Sequence, residues 1–313
     1  MGGLWYLIVC VIFLGGGTFL GYAVKYPFFW NAVTSVFNPP KPTETFSSDA
    51  QTFLILGCDQ DVYYQSAYVT RHAARSDMMM VVRMNFKTKE ITGVSIPRDT
   101  WCQLPGYDEH KINAYHSIAK YGQEKELSKQ AVEYLIGVKI DKVLVLDYDA
   151  LRRLVDVMGG VPVNVPRALD YDDNAGKLHI HLKPGRQVLT GYDAMCYVRY
   201  RKSNTPGKGE TDFERQERQK DLLLGFKSAA LSNWGRMGQI AEAGKAVFGN
   251  ALNDEQLLSL GFFAKEVGPQ RIKLGVIPTV NEGNGLRLVS SKLPDVLKEF
   301  KLADEKNRLS LRN

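Results

Sequence analysis

A long apolar segment near the start of the chain constrains its architecture more than any other feature of the sequence. Residues 4–24, LWYLIVCVIFLGGGTFLGYAV, contain no charged side chain. A helix over these residues is about 31 Å long, which is close to the thickness of the hydrocarbon core of a bilayer. The segment is long for the apolar region of a cleaved signal peptide, and it lacks a clear A-x-A cleavage site. We therefore expect residues 4–24 to form one uncleaved transmembrane helix, preceded by a stub of residues 1–3.

The residues after this segment indicate a spacer followed by one folded domain. Prolines and small polar residues are concentrated in FNPPKPTETFSSDA, residues 37–50, and this composition is typical of a linker. We predict a spacer over residues 25–49, a folded domain over residues 50–303 and a polar C-terminal tail over residues 304–313. Lys25 directly follows the apolar segment and, by the positive-inside rule, weakly favours a cytoplasmic location for everything after it.

The composition limits the classes of site that the chain contains. The 313 residues are 44% apolar and 24% charged, as in a globular protein, and the net charge of +6 fits phosphate-bearing ligands or an anionic surface equally well. The four cysteines, Cys10, Cys58, Cys102 and Cys196, include no CxxC pair, which excludes a zinc ribbon. Cys10 lies in the apolar segment, and the other three are compatible with one disulfide or with buried thiols. The sequence has no GxSxG and no Walker A motif, so it gives no support to a serine hydrolase or a nucleoside triphosphatase.

Strand-like and helix-like segments alternate along the rest of the chain. This alternation predicts an α/β domain in which helices are layered on a sheet. Strands are predicted over residues 51–59, 76–85, 90–97, 141–147, 197–203 and 271–280. Helices are predicted over residues 111–121, 124–136, 148–159, 212–231 and 293–300.

Two arginines stand two residues apart in the segment YVRYRKS, residues 197–203. If the segment is a strand, Arg199 and Arg201 project from the same face, because side chains alternate between the faces of a strand. Two guanidinium groups side by side repel each other unless an anion lies between them. That anion is either a nearby carboxylate or a ligand.

The helix predicted after this strand adds more positive charge. Thr211 and Glu214 have the spacing of a capping box, which places the start of the helix. Helical spacing then puts four side chains on one side of the first turns, where the helix dipole favours an anion. These side chains are Arg215, Arg218, Gln219 and Leu222. The same pattern is also typical of a solvated helix face whose arginines pair with neighbouring glutamates.

Polar residues follow several of the predicted strands. SIPRDT, residues 95–100, ends a strand with Arg98 and Asp99, and GCDQD and RSDMMM contain Asp59 and Asp77. Ligands of open α/β sheets bind at the carboxyl ends of the strands. Carboxylates beside arginines suggest Mg²⁺ with a phosphate as a further ligand, although aspartates at strand ends serve equally often as caps.

Taken together, these motifs make the chain resemble the LytR–CpsA–Psr family of cell-envelope proteins. The matching stretches occur in the family's order over residues 50–231, after a membrane helix and a Pro-rich spacer. They are LILGCDQD, RSDMMMVVRMN, ITGVSIPRDT, HKINAYH, VLVLDYDALRRLVDVMGGVPVNVP, LKPGRQVLTGYDAMCYVRYRK and DFERQERQKDLL. The sequence departs from the family's usual pattern at Met78 and Glu214, where Thr and Gly are common, and in GYDAMCY. None of these departures removes a charged site residue.

The resemblance implies a fold, a location and an activity. The fold is a layered α/β/α domain with a central mixed sheet, and the protein is a single-pass cell-membrane protein whose catalytic domain is extracytoplasmic, contrary to the indication from Lys25. Family members transfer a glycopolymer from a polyprenyl-pyrophosphate carrier onto peptidoglycan or a related wall acceptor. The partners expected are therefore this carrier, the peptidoglycan acceptor and the membrane, and nucleic acid is not expected.

The resemblance also implies roles for individual residues. Residues that match the pyrophosphate-binding positions or lie beside them are Arg98, Arg199, Arg201, Arg215, Arg218, Gln219 and Lys111. Asp59 and Asp77 match the carboxylates that bind Mg²⁺, and Asp212 and Asn113 are expected as supporting polar residues. Catalysis is expected to involve Arg98, Asp99, Asp77, Arg199 and Arg201, with Asp77 and Asp99 as alternative general bases.

The expected activity is thus a Mg²⁺-dependent glycopolymer–peptidoglycan phosphotransferase that releases polyprenyl phosphate. Water in place of the acceptor would give a lipid pyrophosphatase activity. A different class of function is a non-catalytic anchored module that binds anionic wall polymer or lipid carrier and regulates envelope assembly. One further motif, HIH, places His179 and His181 on one strand face. Because no third ligand is near in the sequence, we expect two surface histidines rather than a metal site.

Overall fold

A computed structural model describes most of the predicted domain. The described residues are 38–58, 61–64, 67–70, 75–174, 178–200, 203–205, 209, 212–232, 237–248, 251–303 and 309. The predicted transmembrane segment, residues 4–24, lies outside them. Within the described ranges, no helix combines the length and apolar character needed to span a membrane.

The described segments contain short helices and strands in alternation. The strands are β1 (Ala50–Cys58), β2 (Asp61–Tyr64), β3 (Ala67–Thr70), β4 (Ser76–Asn85), β5 (Glu90–Ser95), β6 (Trp101–Cys102), β7 (His110–Lys111), β8 (Lys142–Asp147), β9 (Val161–Val165), β10 (Leu169–Asp173), β11 (Leu178–Leu182), β12 (Gly185–Leu189), β13 (Ile272–Val276), β14 (Thr279–Glu282) and β15 (Gly285–Leu288). The α-helices are α1 (Pro42–Thr45), α2 (Ala114–Ile118), α3 (Glu124–Ile136), α4 (Tyr148–Met158), α5 (Gly191–Arg199), α6 (Asp212–Ser232), α7 (Met237–Phe248), α8 (Asp254–Glu266) and α9 (Leu293–Glu299).

A five-stranded mixed sheet forms the centre of the domain. Its strand order is β13-β5-β4-β1-β8. Strand β4 is antiparallel to both β1 and β5, whereas β8 is parallel to β1 and β13 is parallel to β5. The carboxyl ends of β1, β5, β8 and β13 therefore lie along one edge of the sheet, together with the beginning of β4. This confirms the central mixed sheet expected from the sequence.

Side chains alternate between the two faces of the central strands, and each face packs on helices. Leu54 and Leu56 belong to a core that includes Val132 of α3, whereas Phe53 belongs to a core on the other face, which Leu257 and Leu260 of α8 contact. Consecutive apolar residues make these strands apolar on both faces, which is typical of a sheet covered on both sides. The domain is therefore a layered α/β/α structure.

A second core lies beside the central sheet and fixes the helix that carries the predicted arginines. Helices α4, α5 and α6 pack with β9–β12 around Val161, Ile180 and Leu222. At Gly225 helix α6 lies so close to β9 that an added Cβ would meet Val161 Cγ1 at 2.6 Å and the Pro162 carbonyl oxygen at a shorter distance still. Glycine at this position permits the close approach of the helix to the strand.

The segment around Arg199 differs from the prediction. Residues 197–199 end helix α5 rather than forming a strand, so the argument that Arg199 and Arg201 share a strand face is wrong. The Thr190 side chain caps this helix by accepting a hydrogen bond from the Asp193 backbone N–H at 3.2 Å, and Ala194 and Tyr197 are buried at helical spacing. Arg201 lies outside the described residues.

Other boundaries also shift. The helix predicted over 111–121 is confined to Ala114–Ile118, because His110–Lys111 pairs as strand β7 with β6. The strand predicted over 271–280 is divided into β13 and β14. Within the segment predicted as a spacer, Pro42–Thr45 forms α1, and Thr45 Oγ1 lies 2.9 Å from Ser259 Oγ of α8.

Candidate active site

The carboxyl edge of the central sheet carries a β-bulge at one of the predicted metal ligands. Gly57 of β1 pairs with Met78 of β4, but the next residue, Cys58, pairs with Ser76. Asp77 is therefore the extra residue of the bulge, and bulges beside active sites commonly redirect a side chain. The structure describes the backbone of Asp77 and not its side chain, and Asp59 lies outside the described residues.

Three predicted site residues form one ionic cluster after β5. Lys111 Nζ lies 3.2 Å from Asp99 Oδ1, and Arg98 Nε lies 3.7 Å from Asp99 Oδ2. These side chains are about one-third exposed, at 38% for Arg98, 30% for Asp99 and 26% for Lys111. Asp99 thus lies between two cations, and holds both in place while leaving part of each accessible to a ligand.

Backbone hydrogen bonds between residues 98–100 and residues 112–113 bring Lys111 to this cluster. The Ile112 N–H donates to the Thr100 carbonyl at 2.7 Å, and the Asn113 N–H donates to the Arg98 carbonyl at 3.3 Å. Lys111 Nζ also donates to the Asn284 carbonyl at 2.7 Å. Lys111 and Asn113 are therefore neighbours of Arg98 and Asp99. Asn113 is 5% exposed, and its Oδ1 has no hydrogen-bond partner among the described residues.

An aromatic ring at the same sheet edge holds Arg199. The Arg199 guanidinium carbon lies 4.9 Å from the centroid of the Tyr148 ring. Tyr148 is the first residue of α4 and follows Asp147, which pairs with Cys58 at the end of β1. A guanidinium stacked on an aromatic face is held in a fixed plane. Arg199 is therefore held near the carboxyl end of β1, where Cys58 pairs with Asp147.

Arg218 is buried and contacts residues at the end of helix α5. It is 2% exposed, and its Nη2 donates to the Tyr200 carbonyl at 2.8 Å. Its guanidinium carbon lies 5.2 Å from the Tyr197 ring centroid and 5.9 Å from that of Tyr200. These contacts give Arg218 a positioning role for the segment that leads to Arg201. Direct binding of pyrophosphate by Arg218 stays a prediction.

The remaining predicted residues lie in the first turns of α6. The helix begins at Asp212 and continues through Arg215 and Gln219, but the structure does not describe the side chains of these three residues. Their roles stay predictions. Glu214 is the second residue of the predicted capping box, and its Oε1 lies 3.6 Å from Arg167 Nε.

Sequence reasoning missed the residues that support the cations. Tyr148 and Tyr200 stack against arginines, and the Asn284 carbonyl binds Lys111. Tyr148 directly follows a predicted strand, in a stretch that resembles the family. That position was the sequence signal that could have identified it as a site residue. The approach of Asn284 from a β-hairpin near the end of the domain has no sequence signal.

The cysteines of the described residues are not joined in a disulfide. Cys58, Cys102 and Cys196 are buried thiols. Burial raises the pKa of Cys102 to about 12 and that of Cys196 to about 11. Cys58 Sγ lies 3.7 Å from His116 Nε2. The alternative of buried thiols is therefore the one observed.

The residue types at the sheet edge can be compared with the ligands that the expected Mg²⁺ requires. Asp59 and Asp77 supply carboxylates, the oxygen ligands that Mg²⁺ prefers. Ser76, beside the bulge, is fully buried, and its Oγ has no hydrogen-bond partner among the described residues. Asp77 is the bulge residue next to Ser76 in the chain, and carboxylate and hydroxyl oxygens suit a hard divalent cation. The residue types at this edge therefore fit the expected ion, and its binding by Asp59 and Asp77 stays a prediction.

A large cleft elsewhere on the domain is distinct from this edge. It has a volume of about 1310 Å³ and is lined by residues of α3 and α9, among them Tyr134, Ile136, Leu293 and Leu297. None of the predicted site residues lines it. The cleft therefore does not extend the cationic site.

Comparison with known proteins yields relatives with named activities. The polyisoprenyl-teichoic acid–peptidoglycan teichoic acid transferase TagV of Bacillus subtilis is 34% identical over 184 residues, which are 56% of this chain and 44% of that relative. The transferase TagU of Bacillus anthracis is 29% identical over 264 residues, 81% of this chain and 79% of TagU. Regulatory protein MsrR of Staphylococcus aureus is 24% identical over 262 residues, 80% of this chain and 73% of MsrR.

The fold and the family agree with these relatives. The crystal structure of Bacillus subtilis TagV superposes with a TM-score of 0.61 at 26% identity, covering 81% of this chain and 96% of that chain. The LytR–CpsA–Psr family profile matches residues 32–300. With that match over most of its length, the chain belongs to the LytR–CpsA–Psr family.

Proposed function

We propose that the protein is a Mg²⁺-dependent phosphotransferase that moves a glycopolymer from a polyprenyl-pyrophosphate carrier onto peptidoglycan or a related wall acceptor. The observation that carries this proposal is the arrangement at the sheet edge, where Arg98, Lys111 and Arg199 lie with the bulge at Asp77. The names of the relatives TagV and TagU, both teichoic acid transferases, support the same reaction class.

The reaction exchanges one phosphorus–oxygen bond for another. The acceptor hydroxyl attacks the sugar-side phosphorus, the bond from that phosphorus to the bridging oxygen breaks, and polyprenyl phosphate leaves with the bond's electron pair. The acceptor proton passes to a carboxylate, for which Asp77 and Asp99 are the candidates. Negative charge grows on the bridging oxygen, so fixed cations at that position stabilise the transition state.

Each described cation has a support that keeps it in place for this task. Arg98 and Lys111 are oriented by Asp99, and Arg199 is oriented by the Tyr148 ring. Arg201, Arg215 and Gln219 complete the pyrophosphate site in this proposal, with Asp212 and Asn113 as supporting polar groups. Asp59 and Asp77 would hold Mg²⁺, which supplies charge neutralisation at the phosphate oxygens when bound.

The proposed location follows from the substrates. A polyprenyl carrier and a wall acceptor meet at the outer face of the cell membrane. We therefore assign residues 4–24 as the anchor, residues 1–3 as a cytoplasmic stub, and the folded domain to the extracytoplasmic side. Residues that precede α1 then serve as the spacer between them.

A second candidate is a non-catalytic anchored module that binds anionic polymer or lipid carrier. The relative MsrR, which is named a regulatory protein, is the observation that favours it. Both candidates account for the cations. Carboxylates beside an anion site weaken anion binding unless a metal lies between them, so Asp59 and Asp77 favour the enzyme.

A coupled assay separates the candidates. The full chain in detergent is incubated with a polyprenyl-pyrophosphate-linked sugar and peptidoglycan fragments, and products are followed by mass spectrometry with Mg²⁺ or with EDTA. The proposal predicts glycosylated fragment and polyprenyl phosphate in equal amounts, with Mg²⁺ only. Bound carrier without turnover would support the binding module. Polyprenyl phosphate without glycosylated fragment would indicate a pyrophosphatase.

A further inference from the structure

A hairpin away from the sheet edge gathers two histidines and two aspartates on one face. Strands β10 and β11 are antiparallel, with Asp170 opposite His181 and Asp172 opposite His179. Leu169, Leu178, Ile180 and Leu182 are buried on the other face. The four polar side chains therefore project together into solvent, with 37% to 57% of each exposed.

The polar atoms of this group lie within ligand-to-ligand distance of one another. His179 Nδ1 is 2.6 Å from Asp172 Oδ1, and His181 Nε2 is 3.3 Å from the same oxygen. One donor atom from each of Asp172, His179 and His181 lies within 4.8 Å of the others. The third ligand that the HIH motif lacks in the sequence is thus supplied by the neighbouring strand.

We propose that Asp172, His179 and His181 form a surface Zn²⁺ site, with Asp170 as its orienting carboxylate. The site is separate from the proposed transferase centre and does not depend on its function. Imidazole nitrogens with one carboxylate suit Zn²⁺ rather than the Mg²⁺ proposed at the sheet edge. Three protein ligands leave the fourth tetrahedral position to water.

The spacing at His181 matches a tetrahedral zinc site. Zn–N and Zn–O bonds of about 2.1 Å at tetrahedral angles place two ligand atoms about 3.4 Å apart. The separation between His181 Nε2 and Asp172 Oδ1 is 3.3 Å. His179 Nδ1, at 2.6 Å from Asp172 Oδ1, has to move away by about 0.8 Å to reach this spacing, which an exposed side chain permits. Its ring proton moves to Nε2 as the metal takes its place between the two groups.

The neutral form of His181 has a tautomer that suits metal binding. Its Nδ1 lies 2.6 Å from Asp170 Oδ1, and because an ionised carboxylate only accepts, Nδ1 carries the proton. The lone pair of the neutral ring is then on Nε2, which faces Asp172. Zinc-bound histidines commonly donate their other N–H to a carboxylate in this way.

Asn204 fixes the two carboxylates in this orientation. Its Nδ2 donates to Asp172 Oδ2 at 2.9 Å and to Asp170 Oδ2 at 3.4 Å. The Oδ1 atom of each aspartate is thereby turned toward the histidines.

The position of Asn204 gives the metal a structural consequence. Asn204 lies three residues after Arg201, and its N–H donates to the Asp170 carbonyl at 3.0 Å, while the Asp172 N–H donates to Asn204 Oδ1 at 2.9 Å. The chain that leaves Arg201 is thus fastened to β10. A metal that fixes Asp172 would strengthen this attachment, so we expect Zn²⁺ to raise the thermal stability of the protein.

The test is a titration of the full chain, purified in detergent without a polyhistidine tag, with ZnCl₂ in excess Mg²⁺. Calorimetry is expected to show one Zn²⁺ per chain, and Co²⁺ at the same site is expected to give the visible absorption of a tetrahedral complex. Asp172→Asn and His181→Gln are expected to abolish both signals. Asp170→Asn is expected to weaken binding about 10- to 100-fold, the usual cost of losing an orienting carboxylate.

The control is Asp173→Asn, which changes the next residue of β10, on the opposite face of the strand. It is expected to bind Zn²⁺ as the unaltered chain does. Circular dichroism of each variant without metal verifies that it is folded, and His179→Gln replaces any variant that is not. Absence of one-to-one binding by the unaltered chain, or undiminished binding by folded Asp172→Asn, would overturn the proposal.

Discussion

Replacing Arg218 with methionine tests whether this buried cation holds the end of helix α5 in place. The substitution keeps an unbranched apolar stem and removes the guanidinium. It thereby deletes the hydrogen bond to the Tyr200 carbonyl and the contacts of the guanidinium with the Tyr197 and Tyr200 rings. We expect both lower stability and slower transfer, because Arg199 and Arg201 lie on either side of Tyr200.

The magnitude follows from these contacts. A hydrogen bond from a charged donor contributes about 1.5–3 kcal/mol, and a desolvated cation–π contact about 2 kcal/mol. Removing the charge recovers part of the cost of burying it, which offsets some of this loss. We therefore expect the free energy of unfolding to fall by about 2–3 kcal/mol. For a domain of this size that corresponds to a decrease in Tm of roughly 4–12 °C.

The assay is urea unfolding of the full chain in detergent, monitored by far-ultraviolet circular dichroism. Arg271→Met is the matched control, because Arg271 also donates to a backbone carbonyl, that of Thr88 at 3.0 Å, but is exposed. We expect that control to stay within about 0.5 kcal/mol of the unaltered chain. If Arg218→Met also stayed within this range, the positioning role of Arg218 would be refuted.

Three further changes test other parts of the structure. Cys102 and Cys196 are expected to resist iodoacetamide at neutral pH in the folded chain and to react after unfolding in urea, because burial raises both pKa values, to about 12 and about 11. Asp99→Asn is expected to slow transfer about fivefold, since ion pairs that stay partly exposed, as these do, contribute up to about 1 kcal/mol. Gly225→Ala is expected to cost about 1–3 kcal/mol of stability in urea unfolding, because the added methyl group would overlap the Pro162 carbonyl.

Each of these has a result that contradicts it. Alkylation of either thiol in the folded chain, detected by peptide mass spectrometry, would contradict its burial. A loss of 100-fold or more in Asp99→Asn would identify Asp99 as the general base rather than a positioning residue. The control for Gly225 is Gly244→Ala in α7, where an added Cβ meets nothing within 4 Å. Equal stability of the two alanine variants would contradict the close packing of α6 on β9.

Strong local patterns predicted the central sheet and several helices. Strand β4 was predicted with its observed bounds, since an apolar run is bounded by Ser76 and by the turn at FKTK. Helix α3 was also predicted with its observed bounds, and Gly137, with a φ of 68°, ends it in the left-handed conformation that glycine favours. In both cases the local signals and the tertiary structure agree.

The segment at Arg199 shows where local patterns fail. The alternation of tyrosine and arginine in YVRYR is typical of a strand, but the cap at Thr190 and the packing of Tyr197 in the second core place Tyr197–Arg199 in the helix. Tyr197 and Val198, which favour strands, are thereby placed in a helix by tertiary contacts. The same-face argument was wrong for this reason, although Arg199 still lies at the sheet edge.

Contacts between distant residues were beyond the reach of the sequence patterns. The approach of Lys111 to Asp99 depends on the pairing of β6 with β7, which are too short to be recognised by periodicity. The meeting of Asp172 with His179 depends on the register of β10 and β11. The family resemblance supplied the residue roles at the sheet edge, and all of these roles stay predictions. For Asp59, Asp77, Arg201, Arg215 and Gln219 the structure also does not describe the side chains.

The rate of coupled transfer in Arg199→Ala is the measurement that tests the central claim most directly. Arg186→Ala, an exposed arginine on β12, is the matched control. We predict that Arg199→Ala lowers the rate about 100- to 1000-fold, the usual cost of one preorganised donor to a transition-state charge, and that Arg186→Ala leaves it unchanged. Equal rates in the folded Arg199→Ala variant and the unaltered chain would contradict the claim that these cations hold the pyrophosphate.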